Sequence, residues 1–259
     1  MTQAPASFRV LGTRIHAVQI PEVVRLLTDW AVAGAPPRTV VAANAHVVNE
    51  ARRDPAFSRT LEGADLAVAD GTPLRWIGRL HGFPMPRRVY GPELMLATLE
   101  HTAPLGLRHF FYGALPGVAD DLAKKMSARF PGLQIAGTWS PPMAPLSPVE
   151  DPAAVAAIRA ARPHFLWVSL GCPKQEKWIA SRRDLLQVPV TAGVGAAFDF
   201  LTGRARQAPP WLREHGLEWA FRLATEPGRL WRRYLIQGSE FAACFAFELA
   251  TGRWRRRMP

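Results

Sequence analysis

The chain has 259 residues, 48% of them hydrophobic, enough to bury a substantial core and to exclude an intrinsically disordered chain. Its formal net charge is +11, and its two cysteines, Cys172 and Cys244, form neither a CxxC nor a zinc-type spacing, so a reducing compartment and no structural metal are expected. The opening MTQAPASFRV lacks the apolar segment of a signal peptide, and the apolar run FAACFAF is far below the roughly 20 residues of a spanning helix.

Six apolar runs read as strands: TVVAAN at 39–44, DLAVAD at 65–70, HFFYGA at 109–114, LQIAGT at 133–138, FLWVSLG at 165–171 and VPVTAGVG at 188–195. Most are continuous rather than alternating, as in parallel strands covered on both faces. The segments between them read as helices. VVNEARRDPAF is amphipathic and stops at Asp54-Pro55, GVADDLAKKMSARFPG closes on Pro-Gly, and DPAAVAAIRAARP opens on Asp-Pro and closes before Pro163. MAPLSPVEDP is a Pro-rich loop. This alternation predicts an α/β fold, a Rossmann-like open and mostly parallel sheet with helices on both faces and right-handed crossovers.

After Gly203 the character changes. From Arg204 onward there are eleven Arg and no Lys against Glu214, Glu218, Glu226, Glu240 and Glu248, a surplus of six that is over half the net charge. Trp211, Trp219, Phe221, Trp231, Tyr234 and Trp254 are mixed among them. A catalytic domain over 1–203 and a helical, basic, aromatic-rich C-terminal appendage over 204–259, split at Glu226-Pro227-Gly228, are expected. Basic plus aromatic points to a phosphate-rich partner: a nucleotide, a nucleic acid or an anionic membrane surface.

In an open α/β sheet, ligands bind beyond the carboxyl ends of the strands. Those ends here hold Asn44, Asp70-Gly71, the loop from Gly113 to Gly117, the stretch Gly171 to Glu176, and Gly193 to Gly195. Glycine admits a ligand to the backbone, and a helix N-terminus offers N–H groups to phosphate. Plainer roles compete. Asn44 suits a cap for a helix starting near Ala45. The Gly113 loop is neither G-x-G-x-x-G nor a P-loop. Gly193 and Gly195 suit turns, and Gln175 and Glu176 suit a first helical turn.

Asp70 stands apart. Thr72 as N-cap and Pro73 as first helical residue already start the helix PLRWIGRL, leaving the carboxylate for base chemistry or an Asp-Gly turn. His46 and His81 lie away from the strand ends and are expected to be structural or exposed. The chain has no D-x-D and no His/Asp cluster with ligand spacing. A diphosphate would then be met by Arg, Lys or backbone N–H groups. Arg229, Arg232 and Arg233 stand at i, i+3 and i+4 on one helix face, with Arg222 just before the Pro-Gly break. A solvated basic face or a membrane-surface helix is the competing reading.

Together, NAHVVNEARRDPAF, ADLAVADGTPL, RRVYGPELM, FYGALPGVAD, SLGCPKQEKWI, GVGAAFDFLTGRARQAPPW and GLEWAFRLATEPGRLWRRY resemble the WecG/TagA/CpsF glycosyltransferases, glycosyltransferase family 26, from about Arg9 to Leu235. The most specific signatures are G-x-P-K-Q-E and G-L-E-W…R-L…E-P-x-R…R-R. The resemblance implies an inverting, metal-independent transfer of N-acetylmannosamine, its uronic acid or glucose from a UDP-sugar to a polyprenyl-diphosphate-linked saccharide. It implies no cofactor, a cytoplasmic enzyme at the inner membrane face, and no nucleic-acid partner. By the same resemblance Asp70 is the base and Asn44 an active-site polar residue. Gln175 belongs to the donor pocket, and Arg222, Arg229 and Arg232 engage the donor diphosphate. Apart from the resemblance, Glu176 is expected to join the substrate site, N–H groups near Gly113 and Gly117 to assist with the diphosphate, and RWRRR at 253–257 to hold anionic lipid. The family often has Thr two residues before the Asn; Ala42 stands here, without a hydroxyl for the donor sugar. The rivals are an NAD-dependent oxidoreductase, whose glycine fingerprint is missing, and a nucleic-acid-binding module, which leaves the polar strand ends unused.

Overall fold

The apolar runs become the strands of one sheet, and their continuity has a direct cause: both faces are covered. The computed structural model describes residues 5–34, 36–141 and 151–254; most of MAPLSPVEDP and residues 255–257 of RWRRR lie outside them. The strands are β1 (Ser7–Val10), β2 (Thr13–His16), β3 (Arg38–Ala43), β4 (Leu66–Ala69), β5 (Arg108–Gly113), β6 (Gln134–Trp139), β7 (Phe165–Ser169) and β8 (Val190–Gly193). Their order is β1-β2-β4-β3-β8-β7-β5-β6. All neighbouring pairs are parallel except β1 with β2.

The helices of the first part are α1 (Ile20–Ala33), α2 (Ala45–Arg53), α3 (Pro55–Glu62), α4 (Thr72–Leu80), α5 (Gly91–Thr102), α6 (Val118–Arg129), α7 (Pro152–Ala161), α8 (Lys174–Leu186) and α9 (Ala197–Thr202). Side chains alternate between the faces of each strand. Val40, Leu66, Val68, Phe111 and Trp167 pack with α1, α5 and α6. Val41, Ala43, Ala67 and Ala69 pack with α2, α3 and α4, while Phe110, Tyr112, Leu166 and Val168 pack with α7 and α8.

Two strands exceed the six expected. β1 and β2 form a hairpin whose loop residues Leu11 and Gly12 have φ of 48° and 96°, the left-handed pair that a tight hairpin needs. A Leu-Gly loop lacks the usual Asn-Gly or Asp-Gly signal, so the alternation in SFRV and TRIH carried no visible turn. The start of α4 also differs from expectation. Gly71 is the N-cap, with no side-chain cap, so Thr72 is the first helical residue and Pro73 the second. Asp54 does two jobs, ending α2 and capping α3 through the Ala56 and Phe57 N–H groups.

After Gly203 the chain forms α10 (Pro210–Glu214), α11 (Glu218–Thr225), α12 (Pro227–Trp231), a π-helical stretch Arg232–Gln237 and α13 (Gly238–Ala250). α13 packs on α2, and Phe241 is buried in the core beneath α2 and α4. One residue of the π stretch, Gln237, meets three residues of α2. Its side chain reaches His46 Nδ1 at 2.7 Å and donates to Glu50 at 3.3 Å, while its carbonyl accepts from Asn49 at 2.5 Å. Glu240 adds ion pairs to Arg52 and Arg53.

At the end of β5, Gly113 has φ +117°, and a Cβ there would lie 2.4 Å from the Ser169 carbonyl oxygen. Gly113→Ala combines backbone strain with a clash against backbone and is expected to cost about 3 kcal/mol, read as a fall in chemical-denaturation midpoint.

Candidate active site

β3 lies between β4 and β8, and the chain leaves it toward β4 while β8 returns on the other side. Strand order reverses there, which opens a crevice at the carboxyl ends. Asp70 sits at its edge, its N–H donating to the Ala43 carbonyl at 2.8 Å. Its Oδ1 accepts from the Gly91 N–H at 2.8 Å, the first residue of α5, and its Oδ2 accepts from Asn44 Nδ2 at 3.4 Å. The first N–H groups of a helix have no internal partner, so the carboxylate anchors α5 rather than α4. Asn44 is the helix cap the sequence suggests, and it also contacts Asp70. Its Oδ1 accepts from the His46 and Val47 N–H groups at 3.1 and 3.3 Å and caps α2, which turns Nδ2 toward Asp70.

Burial is the largest influence on the Asp70 carboxyl and pushes its pKa above the ordinary range. Arg88 and the Gly91 N–H pull it down, Glu218 pushes it up, and Asn44 pulls it down. A carboxylate raised by burial is a better proton acceptor than an exposed one.

Three residues beside Asp70 carried no individual signal in the sequence beyond membership of RRVYGPELM and GLEWAFRL. Arg88 Nη1 donates to the Asp70 carbonyl at 3.4 Å, and its Nη2 pairs with Glu218 of α11. The Tyr90 hydroxyl donates to Glu218 at 3.1 Å, and the Arg88 guanidinium lies 4.1 Å from the Tyr90 ring centroid. Burial and the Glu218 charge push the Tyr90 phenol up, so it remains a donor.

The cleft has a volume of about 1450 Å³ and runs between the strand ends and the C-terminal helices. Asn44 and Asp70 line it, as do Arg204, Arg222, Arg229 and Arg233. Arg222 is 8% exposed, 5.1 Å from the Phe200 ring centroid and 3.8 Å from Glu226. Arg229 pairs with Glu226. Asp199, on the same wall, is pushed up by burial against the pull of Arg229. Arg232 is not on the cleft wall; it points outward over Trp231, 5.2 Å from the ring centroid, while Arg233 takes the inward face.

Gln175 reaches the cleft from a buried position. Its Oε1 accepts from the Gly195 N–H at 3.1 Å and its Nε2 donates to Glu176 at 2.8 Å, which braces the loop after β8. Glu176 lies behind it, off the wall, its carboxyl pushed up by burial. Gly113 and Gly117 are also off the wall: Gly113 is used where β5 crosses Ser169, and Gly117 starts α6 at φ +82°. Ala114 and Leu115 of that loop do line the cleft. His46 reaches the wall, held by Gln237, with its pKa lowered first by burial and then by Arg233. His81 packs between Phe8 and Trp254, with ring centroids 5.4 and 5.3 Å away. At its far end the cleft turns apolar, between Trp76, Ile77 and Leu80 of α4 and Phe245 and Leu249 of α13. Among the described residues, no group of three or more His, Cys, Asp or Glu side chains could hold a metal ion.

A family model described as "Glycosyl transferase WecG/TagA/CpsF family" matches residues 8–255. A protein of Bacillus spizizenii is 33% identical over 83% of this chain and 81% of its own length. A Bacillus subtilis protein is 31% identical over 74% of this chain and 73% of its own, and a Staphylococcus aureus protein is 28% identical over 74% of each. All three are named N-acetylglucosaminyldiphosphoundecaprenol N-acetyl-beta-D-mannosaminyltransferase.

Because the Asp70 pKa is raised on folding, the native state binds this proton more tightly than the unfolded chain. The stability from this group is present at low pH and lost as pH rises through the raised native value. Asp70→Asn is therefore expected to raise the melting temperature at neutral pH, by an amount that shrinks toward about pH 4. Thermal melts across that range check both the sign and the trend.

Proposed function

The chain belongs to the WecG/TagA/CpsF glycosyltransferase family, and we propose that it transfers an N-acetylmannosaminyl group from its UDP-sugar to N-acetylglucosaminyl-diphospho-polyprenol, with inversion. The observation that carries this reading is the pairing, across one cleft, of a buried proton acceptor with a wall of arginines. Asp70 takes the proton of the acceptor hydroxyl as its oxygen attacks the anomeric carbon from the face opposite the diphosphate. The bond between that carbon and the UDP oxygen breaks. Arg222, Arg229 and Arg233 stabilise the negative charge left on the diphosphate, so the step runs without a metal. Asn44 and the Gly91 N–H fix the carboxylate in place.

The donor sugar follows the names of the relatives, and the small Ala42 side chain on the cleft wall leaves room beside it. The polyprenyl chain of the acceptor lies in the apolar end of the cleft, along α4. From Thr72 to Leu80 that helix offers about 12 Å of length at 1.5 Å per residue. The enzyme works at an anionic membrane surface on the cytoplasmic side. Trp231, Leu235 and Ile236 are exposed on the stretch that also carries Arg229, Arg232 and Arg233, which supports surface attachment. Among the described residues, no helix is long and apolar enough to cross a membrane.

UDP-N-acetylmannosamine and a lipid-linked N-acetylglucosamine acceptor are expected to give disaccharide-lipid and UDP, faster than with UDP-glucose or the uronic acid donor, and equally fast in EDTA. Asp70→Asn should lower kcat about 10²- to 10⁴-fold with the fold intact. No product from any UDP-sugar overturns the reading; loss of activity in EDTA removes its metal-free step. In a separate assay, deletion of residues 253–259 is expected to weaken flotation with anionic liposomes and leave neutral liposomes unaffected.

A further inference from the structure

Arg88 touches Asp70 without neutralising it. One arm of its guanidinium donates to the Asp70 carbonyl at 3.4 Å, and the other is taken by Glu218. Its ion-pair partner is therefore Glu218, not the carboxylate of the residue whose carbonyl it contacts. The contact is held from below as well, by the Tyr90 ring under the guanidinium and the Tyr90 hydroxyl on Glu218.

The alternative position for Arg88 is close by. A guanidinium carries five donors in a planar fork that fits a carboxylate with two parallel hydrogen bonds. The Asp70 carbonyl and carboxylate belong to one residue, and the Arg88 charge already acts on that carboxyl; released from Glu218, Arg88 would turn to it. That move would occupy the carboxylate lone pairs and depress the pKa. The result is an ionised but inert Asp70.

We infer that Glu218, brought to the site by the C-terminal helices, is a positioning residue that holds Arg88 off the Asp70 carboxylate and so leaves Asp70 free to take the acceptor proton. The inference rests on the reading of Asp70 as base. The groups that face Asp70 are Arg88 and Tyr90 from the segment before α5, the Gly91 N–H of α5, Asn44 ahead of α2, and Glu218 of α11. Of these, only Glu218 comes from beyond residue 203. Docking of the C-terminal helices and competence of the base are then one event. An enzyme whose C-terminal helices are displaced has Arg88 on Asp70 and does not spend its donor sugar on water.

The test is the pH dependence of kcat/KM for transfer by the full chain. Glu218→Gln is expected to lower the neutral-pH rate roughly tenfold or more and to move the acidic limb about one unit or more to lower pH. Glu218→Asp should recover much of both. In an Arg88→Gln background, most of the shift caused by Glu218→Gln should vanish, because the group it restrains is gone. Tyr90→Phe, which loosens Glu218 without removing a charge, should shift the limb the same way by less, and it serves as the readout should Glu218→Gln unfold. An acidic limb that stays put in both variants overturns the inference. So does a shift of equal size with and without Arg88. If the wild-type chain transfers no sugar, the proposed function fails instead, and the two failures are distinguishable.

Discussion

The Asp70 carboxylate is the point to which the rest of the site is tied. It closes β4, takes the first free N–H of α5 and receives the amide of Asn44. Through Arg88 its backbone also reaches Glu218 on the C-terminal helices. The segments around residues 44, 70, 88–91 and 218 are therefore linked through one residue. A buried carboxylate costs free energy unless hydrogen bonds compensate it. Here the compensation is partial, which leaves its proton affinity raised. The same incompleteness that weakens the fold suits the group to the base role proposed for it.

The second constraint is how the C-terminal helices are held. Their arginines can face the crevice only if the helices are fixed to the body. Gln237 does much of this by meeting His46, Asn49 and Glu50 on one face of α2, the helix that Asn44 caps. Cleft wall and cleft floor are thus joined through one short helix. The arginines of this stretch divide between two faces. Arg232 lies over Trp231 at the surface, while Arg229 and Arg233, four residues apart, are on the cleft wall.

Much of the sheet was legible because strands buried on both faces are apolar along most of their length. The six runs correspond to β3 to β8; five are largely buried, and β6 is the half-exposed edge strand. The β1–β2 hairpin escaped because its two-residue loop is Leu-Gly, and nothing in a leucine announces a left-handed φ. The start of α4 was misplaced by one residue because Thr-Pro fits both the cap position and the first turn. At the site, Asp70 stood out because its neighbours already accounted for the turn. Arg88, Tyr90 and Glu218 did not, since each looks like an ordinary surface residue until its partner is known. The glycines of the Gly113 loop have a backbone role the sequence did not announce: a Cβ at Gly113 would meet the Ser169 carbonyl at 2.4 Å, while Ala114 and Leu115, not Gly113 or Gly117, line the cleft.

By itself, the sequence determined what is local or periodic. The parallel α/β class, the polar and glycine-rich strand ends, the basic C-terminal region and the family signatures are all properties of residue type at short spacing. Only the tertiary structure decided which charges face each other. The partner of Arg88 lies 130 residues away, and the contact of His46 with Gln237 spans 191. Coulombic and hydrogen-bonding energies depend on distance and burial in space, and the chain order carries neither. Asp70 was recognisable from its neighbours along the chain; that its proton affinity is raised, and that Arg88 beside it pairs with Glu218, follows from the fold.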